Sequence, residues 1–231
     1  MKLKENKGKN LKINTKFGSF YRYPVKTHLI VPSDNLMEII KKYALSYMDK
    51  NDIMFISEKV VSVMQGRSYK ISDIKPSRLA TLLSKYVYRN PGGIGLAMPE
   101  TMHLAIEEAG IVRILLAAFL AAITKPFGLR GVFYIIAGQG ARSIDGPVPY
   151  AIPPYNEYAS KGPKSPQKIV KNIEKQFKIK VTIVDANDLG INILGNSKGT
   201  SKKMLRMVLK DNPLGQEDES TPIGIIKRVA S

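Results

Sequence analysis

Apolar residues recur along this chain in stretches of two kinds, and their periods predict its elements. Leu36, Ile39, Ile40, Tyr43 and Tyr47 fall on one face at helical spacing, after a start signal in Ser33 and Asp34. Leu79, Leu82, Leu83 and Tyr86 repeat that spacing within 76–88, and Ile169, Val170, Ile173 and Phe177 do so after a Ser165-Pro166 start. Residues 99–124 read as one or two helices closed by Pro126, and Thr200 or Ser201 caps a last helix to about Lys210. Short unbroken apolar runs predict strands at 52–57, 180–184 and 221–229. The run Lys59 to Met64 reads as a second apolar segment after the first. Gly131 to Ala137 reads as a strand buried on both faces. Asn90 to Gly95 and Gly138 to Pro154 read as loops. Helices and strands alternate without the regular spacing of a doubly wound sheet, so the expected fold is mixed α/β or α+β.

Composition narrows the chemistry. The chain has 231 residues and no cysteine, which excludes disulfides, thiolate catalysis and Cys-based zinc sites. Only two histidines, His28 and His103, are present, so a metal would be held by carboxylates, and hard oxygen ligands favour magnesium or manganese. His103 lies on an apolar helix and reads as a packed side chain. The formal net charge is +17, which favours anionic partners. Lys2, Lys4, Lys7, Lys9, Lys12 and Lys16 punctuate the start with Glu5 as the sole acid. Residues 1–20 therefore read as a basic, mobile tail ahead of one large domain at 21–231, which has room for two lobes. No apolar leader is visible. The longest apolar stretch, Ile111 to Thr124, is shorter than the roughly 18 residues that span a bilayer and reads as a buried core helix. A cytoplasmic protein is expected.

Several residues are candidates for chemistry. Glu217, Asp218 and Glu219 cluster in a chain otherwise short of acid, which suggests a metal or cationic ligand. Asp145 and Asp188 follow expected strands, where carboxylates hold divalent cations against phosphates or simply cap turns. Asp185 and Asn187 stand beside Asp188 as further ligands. Arg142 either pairs with Asp145 or clamps a phosphate. Lys59 either lies buried near a phosphate or snorkels from a sheet edge. Neither a Walker A sequence nor a G-x-G-x-x-G between strand and helix is present, which argues against a P-loop or Rossmann enzyme.

Four segments in order resemble the coenzyme F420-0:L-glutamate ligase family. They are Lys26 to Ile40, Asn51 to Arg67 with Lys59-Val-Val-Ser62, Asn187-Asp188-Leu189-Gly190, and Gly215-Gln216-x-x-Glu219-x-x-Pro222. The segment from Ala141 to Gly146 keeps Asp145 but lacks the family's Ser-Asn, and Gln65 replaces its Glu. The resemblance implies an F420 ligase-like fold and a GTP-dependent amide ligase acting through an acyl phosphate. It implies L-glutamate and F420-0 or a related carboxylate as substrates, Mg²⁺ or Mn²⁺ as cofactor, and a homodimer. Lys59 and Arg142 become catalytic candidates, Ser62, Gly66, Gln216 and Glu219 nucleotide-binding ones, and Asp145 and Asp188 metal ligands. Two other readings compete. One is a non-catalytic nucleotide- or anion-binding relative. The other is a basic nucleic-acid-binding protein, disfavoured because no RNP motif, KH loop or zinc finger is present.

Overall fold

The computed structural model describes residues 3–87, 95–129, 131–187, 190–215 and 217–229. In chain order, strands β1 (Lys12–Thr15) and β2 (Gly18–Val25) precede helix α1 (Leu36–Tyr43), β3 (Ile53–Ser57), α2 (Glu58–Met64) and β4 (Ser68–Lys70). Four helices follow: α3 (Arg78–Ser84), α4 (Pro99–Ala109), α5 (Ile111–Thr124) and α6 (Val132–Arg142). The chain closes with β5 (Tyr158–Ser160), α7 (Pro166–Phe177), β6 (Lys180–Asn187), β7 (Gly190–Asn196), α8 (Lys202–Val208) and β8 (Ile223–Arg228). It divides into two compact units, residues 1–66 with 163–231, and residues 67–162. The fold is mixed α+β, as the irregular alternation implied.

The first unit is built on a six-stranded sheet in the order β1-β2-β8-β3-β6-β7. Its pairs are antiparallel except β3 with β6. On one face Phe20, Phe55, Val184 and Ile226 pack with Leu205, Val208 and Leu209 of the α8 region. The pleat sends Met54 and Ile56, both fully buried, to the opposite face. Helices α2 and α7 pack on β3, β6 and β7. Val61 of α2 is buried, and Val170 and Ile173 of α7 supply the apolar stripe read from the sequence. Caps act as expected at α8, where Ser201 accepts from the Met204 amide, and one residue later than expected at α1, where Asn35 accepts from Met37. Ser165 does not cap α7: it sits at φ 51° and makes no capping bond.

The second unit is mostly helical. Its core joins Leu96, Met102, Leu104, Ile114, Ala137 and Ile144. Ser77 caps α3 by accepting from the Ala80 amide, and Pro99 opens α4. Gly110, at φ 84°, separates α4 from α5. Strands β4 and β5 form a small antiparallel pair.

Four expectations are corrected. The run after β3 is helix α2, because burying Val61, Ser62 and Val63 against the sheet outweighs the strand preference of three valines. The segment at 131–137 is the first part of α6. A seven-residue apolar run has no period that separates strand from helix, and here Phe133, Tyr134 and Ile136 pack into a helical core. Helix α5 is not a buried core helix: only Ile114 and Ala117 are buried, and Val112 is 77% and Phe119 61% exposed. Residues 3–20 are not a loose tail. Asn6 is buried, and the segment enters the sheet as β1, which pairs with β2 from Lys12↔Tyr21 to Thr15↔Gly18. The expected loop at 90–95 lies mostly outside the described residues.

Candidate functional site

In the first unit, β3 runs directly into α2. Ser57 stands at the junction, and its amide donates to the Pro222 carbonyl at 2.9 Å. Lys59 lies on the first turn of α2 and is half-buried. Ser62, one turn further, is 1% exposed, and its Oγ has no hydrogen-bond partner among the described residues. Gly66 ends the segment at φ 65° with open space where a Cβ would sit, so backbone handedness and not crowding selects glycine there. The neighbouring Gln65 bonds both ways with Lys164. Its Nε2 donates to the Lys164 carbonyl at 3.1 Å, and its Oε1 accepts from the Lys164 amide at 2.7 Å. Gln65 thus supplies a donor that a carboxylate at this position would lack.

The C-terminal loop that carries Glu219 is held from within. Glu219 folds back so that its Oε2 accepts from the Glu217 amide at 2.9 Å, and its carboxylate covers Gly215, itself at φ 79°. Asn212 Nδ2 donates to the Gly215 carbonyl at 2.8 Å. Asn6, buried, donates through Nδ2 to the carbonyls of Pro213 and Leu214 and to Thr221 Oγ1. An asparagine inside a lysine run gives no sequence signal for this anchoring role. The acidic cluster does not form the metal centre expected of it. Glu217 and Asp218 are exposed, Glu219 is turned onto its own loop, and among the described residues no three His, Cys, Asp or Glu side chains converge on one point. Asp185 lies in β6 opposite Asn192. Asp188 and Gln216 lie outside the described residues, as does the side chain of Asn187.

Beside α2 a cleft of about 310 Å³ opens among Asp34, Met37, Val61, Met64, Ile169 and Asn172. At its edge His28 bridges Tyr43, 2.8 Å from Nδ1, and Asp34, 3.1 Å from Nε2. Burial raises the Asp34 pKa, but the Val31 amide and His28 outweigh it and hold the carboxyl below its ordinary value of 3.8. Its contribution to stability is therefore present above that value and fades as pH falls through the folded-state pKa. Asp34→Asn is expected to lose less than about 1 kcal/mol at neutral pH, the range for a partly exposed pair. The difference from wild type should vanish in acid, as thermal melts across that range will show.

In the second unit Arg142 ends α6 and is exposed. Asp145 follows it, also exposed, on a backbone clasped to Ser160 by reciprocal 2.9 Å bonds. Gly138, at φ 84°, breaks the helix where the Arg113 guanidinium would clash with any Cβ, and Arg113 Nε donates to the Ile136 carbonyl at 2.7 Å. Alongside β4 and β5 is a charged group that sequence reading missed. Arg67 and Lys161 are each under 10% exposed. Lys161 Nζ donates to Glu107 at 2.8 Å and lies over the Tyr69 ring. Arg67 pairs with Glu108 at 2.8 Å and donates through Nε to the Gly162 carbonyl at 2.7 Å. Two buried cations answered by two carboxylates form a nearly neutral network that fixes the loop ends bearing Asp145. Its members lie far apart in sequence, and no motif links them.

Lys59, Ser62, Gly66 and Glu219 thus belong to one unit, and Arg142 and Asp145 to the other. Among the described residues no helix is long and apolar enough to cross a membrane. No curated protein matches the chain. A family model described as F420-0:Gamma-glutamyl ligase matches residues 24–188. That span begins in β2, contains α2 and the whole second unit, and supports a ligase that uses glutamate and an F420-0 acceptor in F420 biosynthesis. Most of the sequence lies within the match, and the chain belongs to the F420-0:gamma-glutamyl ligase family.

Proposed function

We propose that this protein is a cytoplasmic, GTP- and divalent-metal-dependent γ-glutamyl ligase that joins L-glutamate, through its amine, to the carboxylate of F420-0 or a related small acceptor. The observation that carries the reading is the family match over 24–188, which includes Lys59, Ser62, Gly66, Arg142, Asp145 and Asp188. The acceptor carboxylate attacks the γ-phosphate of GTP, giving an acyl phosphate and GDP. The glutamate amine then attacks the acyl carbon, loses its proton and expels inorganic phosphate. Such transfers depend on positioning and charge neutralisation more than on covalent participation by the protein. Lys59 and Arg142 are each assigned a phosphate contact, and Ser62, Gly66, Gln216 and Glu219 contacts to the nucleotide. The excess of cations suits substrates that are all anionic.

Asp145 and Asp188 are each assigned to Mg²⁺ or Mn²⁺. Mg²⁺ usually takes only one or two protein carboxylates and completes its shell with phosphate oxygens and water. An exposed Asp145 on a clasped backbone fits that role, and the lack of a three-ligand cluster among the described residues is compatible with a cation that arrives on the nucleotide. When bound, the cation would screen the phosphate charge.

Calorimetric titration of GTP, ATP and GDP with and without Mn²⁺ tests the reading, together with phosphate release in the presence of F420-0 and glutamate. Metal-dependent GTP binding is expected, and Asp145→Asn or Asp188→Asn should lower turnover by about 100-fold, the scale for removing one electrostatic contact to the transition state. Full activity in both variants would refute the metal assignment. Tight GDP binding without phosphate release would favour the non-catalytic reading.

We infer further that the active form is a homodimer. Helix α5 leaves Ile111, Val112, Leu115, Leu116, Phe119 and Ile123 between 44% and 77% exposed, a face that a second copy would cover. Phe119→Asp is expected to convert the dimer to monomer in light scattering, since a stable interface excludes an unpaired charge from its core. A wild-type protein that is monomeric at micromolar concentration would overturn this.

A further inference from the structure

Helix α7 has one face that the fold uses and one that neither the fold nor the ligase reading employs. Val170 and Ile173 are fully buried, and the helix packs on β6 and β7. On the opposite side Lys168, Lys171 and Lys175 recur at helical spacing, within about 60° of arc on an ideal helix. Lys178 follows at the C-cap, and all four lysines are exposed. A solvated face has no need of this arrangement, and it works against the helix. Exposed helix faces ordinarily intersperse both signs, so that residues four apart attract. Here like charges stand three and four residues apart, which opposes helix formation. Lys168 lies in the first turn, at the positive end of the helix dipole, and that turn contains no acid. Glu174 is the one acid of α7, and among the described residues none of the four lysines has an ion-pair partner. Lys161 and Lys227, by contrast, are both answered by carboxylates.

The charges form a line and not a patch. From Lys168 to Lys178 the helix rises about 15 Å, at about 1.5 Å per residue. One strand of a duplex advances about 3.4 Å along the axis per phosphate, so about four phosphates lie along that length. The exposed amides of Asn172 and Gln176 border the line on one side and are further donors to phosphate oxygens. Among the described residues of 163–229 there is no exposed large apolar side chain. Nothing beside the line can therefore stack on an unpaired base or enter a bilayer. Helix α7 also has no arginine, the side chain that most often reads a base edge.

We propose that the lysine line of α7 docks on the phosphate backbone of duplex nucleic acid, without regard to base sequence. Lysines that neutralise phosphates release condensed counterions, and that release supplies the affinity of sequence-independent binding. The repulsion that burdens the free helix is relieved in the same step.

Fluorescence anisotropy of a labelled duplex of about 20 base pairs with the full chain tests this, over rising salt. Affinity should fall linearly with salt in log–log form. Lys168→Gln with Lys171→Gln and Lys175→Gln should weaken binding at least about ten-fold and flatten the slope by about 2–3. Glutamine is as good a helix former as lysine, and unaltered circular dichroism will confirm the fold. Lys202→Gln with Lys203→Gln and Arg206→Gln removes the same charge from α8 and should weaken binding less than about three-fold. No binding at low salt overturns the proposal, and so does tighter binding to a single strand of the same length. Equal losses in the two triple variants would overturn it in favour of net charge alone. Tighter binding to phosphatidylserine vesicles than to duplex, at equal phosphate, would overturn it in favour of a lipid surface.

Discussion

Arg22→Met should destabilise the first unit by about 2–3 kcal/mol, the cost of leaving buried carbonyls without their donor. The side chain is 1% exposed and stands in β2 on the face that carries Phe20. Its guanidinium gathers the Val208 carbonyl, the Asn10 carbonyl and the Asp211 carboxylate. Methionine fills similar volume but donates nothing, so two carbonyls and one carboxylate lose their donor together. Chemical denaturation will measure the loss. Arg22→Lys separates charge from geometry: an ammonium restores the charge but not the planar fork, and should recover under half of the difference. A loss below about 1 kcal/mol for the methionine variant would mean that water replaces the clasp.

The second large effect is expected at Gly224→Ala, with a cost near 3 kcal/mol, the upper part of the range for overpacking a core. Gly224 lies opposite Phe55 in the ladder between β8 and β3, and the Phe55 ring lies flat across it. A Cβ at this position would sit 2.2 Å from the Phe55 Cζ. Phe55 is 1% exposed in a core with Leu205 and Leu209, so it has nowhere to swing. Phe55→Leu alone should cost about 1–2 kcal/mol through lost volume. Combined with Gly224→Ala it should cost less than the sum, because the shorter side chain clears the new methyl group. A double-mutant cycle by denaturant titration will show the coupling, and strict additivity would refute the steric account.

These two positions show what the sequence could and could not convey. Caps and apolar stripes are local, so the starts of α1, α3, α7 and α8 were legible to about two residues, and so were those of β3, β6 and β8. Strand β1 was hidden because its outward positions are Lys12 and Asn14, and the one strongly apolar inward residue, Ile13, gives no visible alternation. The valines of α2 and the aromatic and β-branched start of α6 favour strands locally, and tertiary burial reversed both. Arg22 reads as one more surface cation until Val208 and Asp211, nearly two hundred residues away, are brought to it. The candidate site follows the same division. Lys59, Ser62 and Asp145 stand in short segments that resemble the family's, and that resemblance singled them out. Arg67 and Lys161 were not singled out, since their roles arise from pairing across β4 and β5.

The sheet order has a consequence for how the molecule is made. Strand β8, the last of the sheet to be synthesised, sits between β2 and β3, two of the first. On the ribosome, β2 and β3 must wait with their facing edges unsatisfied until residues 223–228 emerge. Residues 67–162 are contiguous and need no such wait, so they are free to fold while the rest is still being translated. The nascent chain is therefore most exposed to aggregation late in synthesis, when an apolar sheet is complete in all but its middle strand.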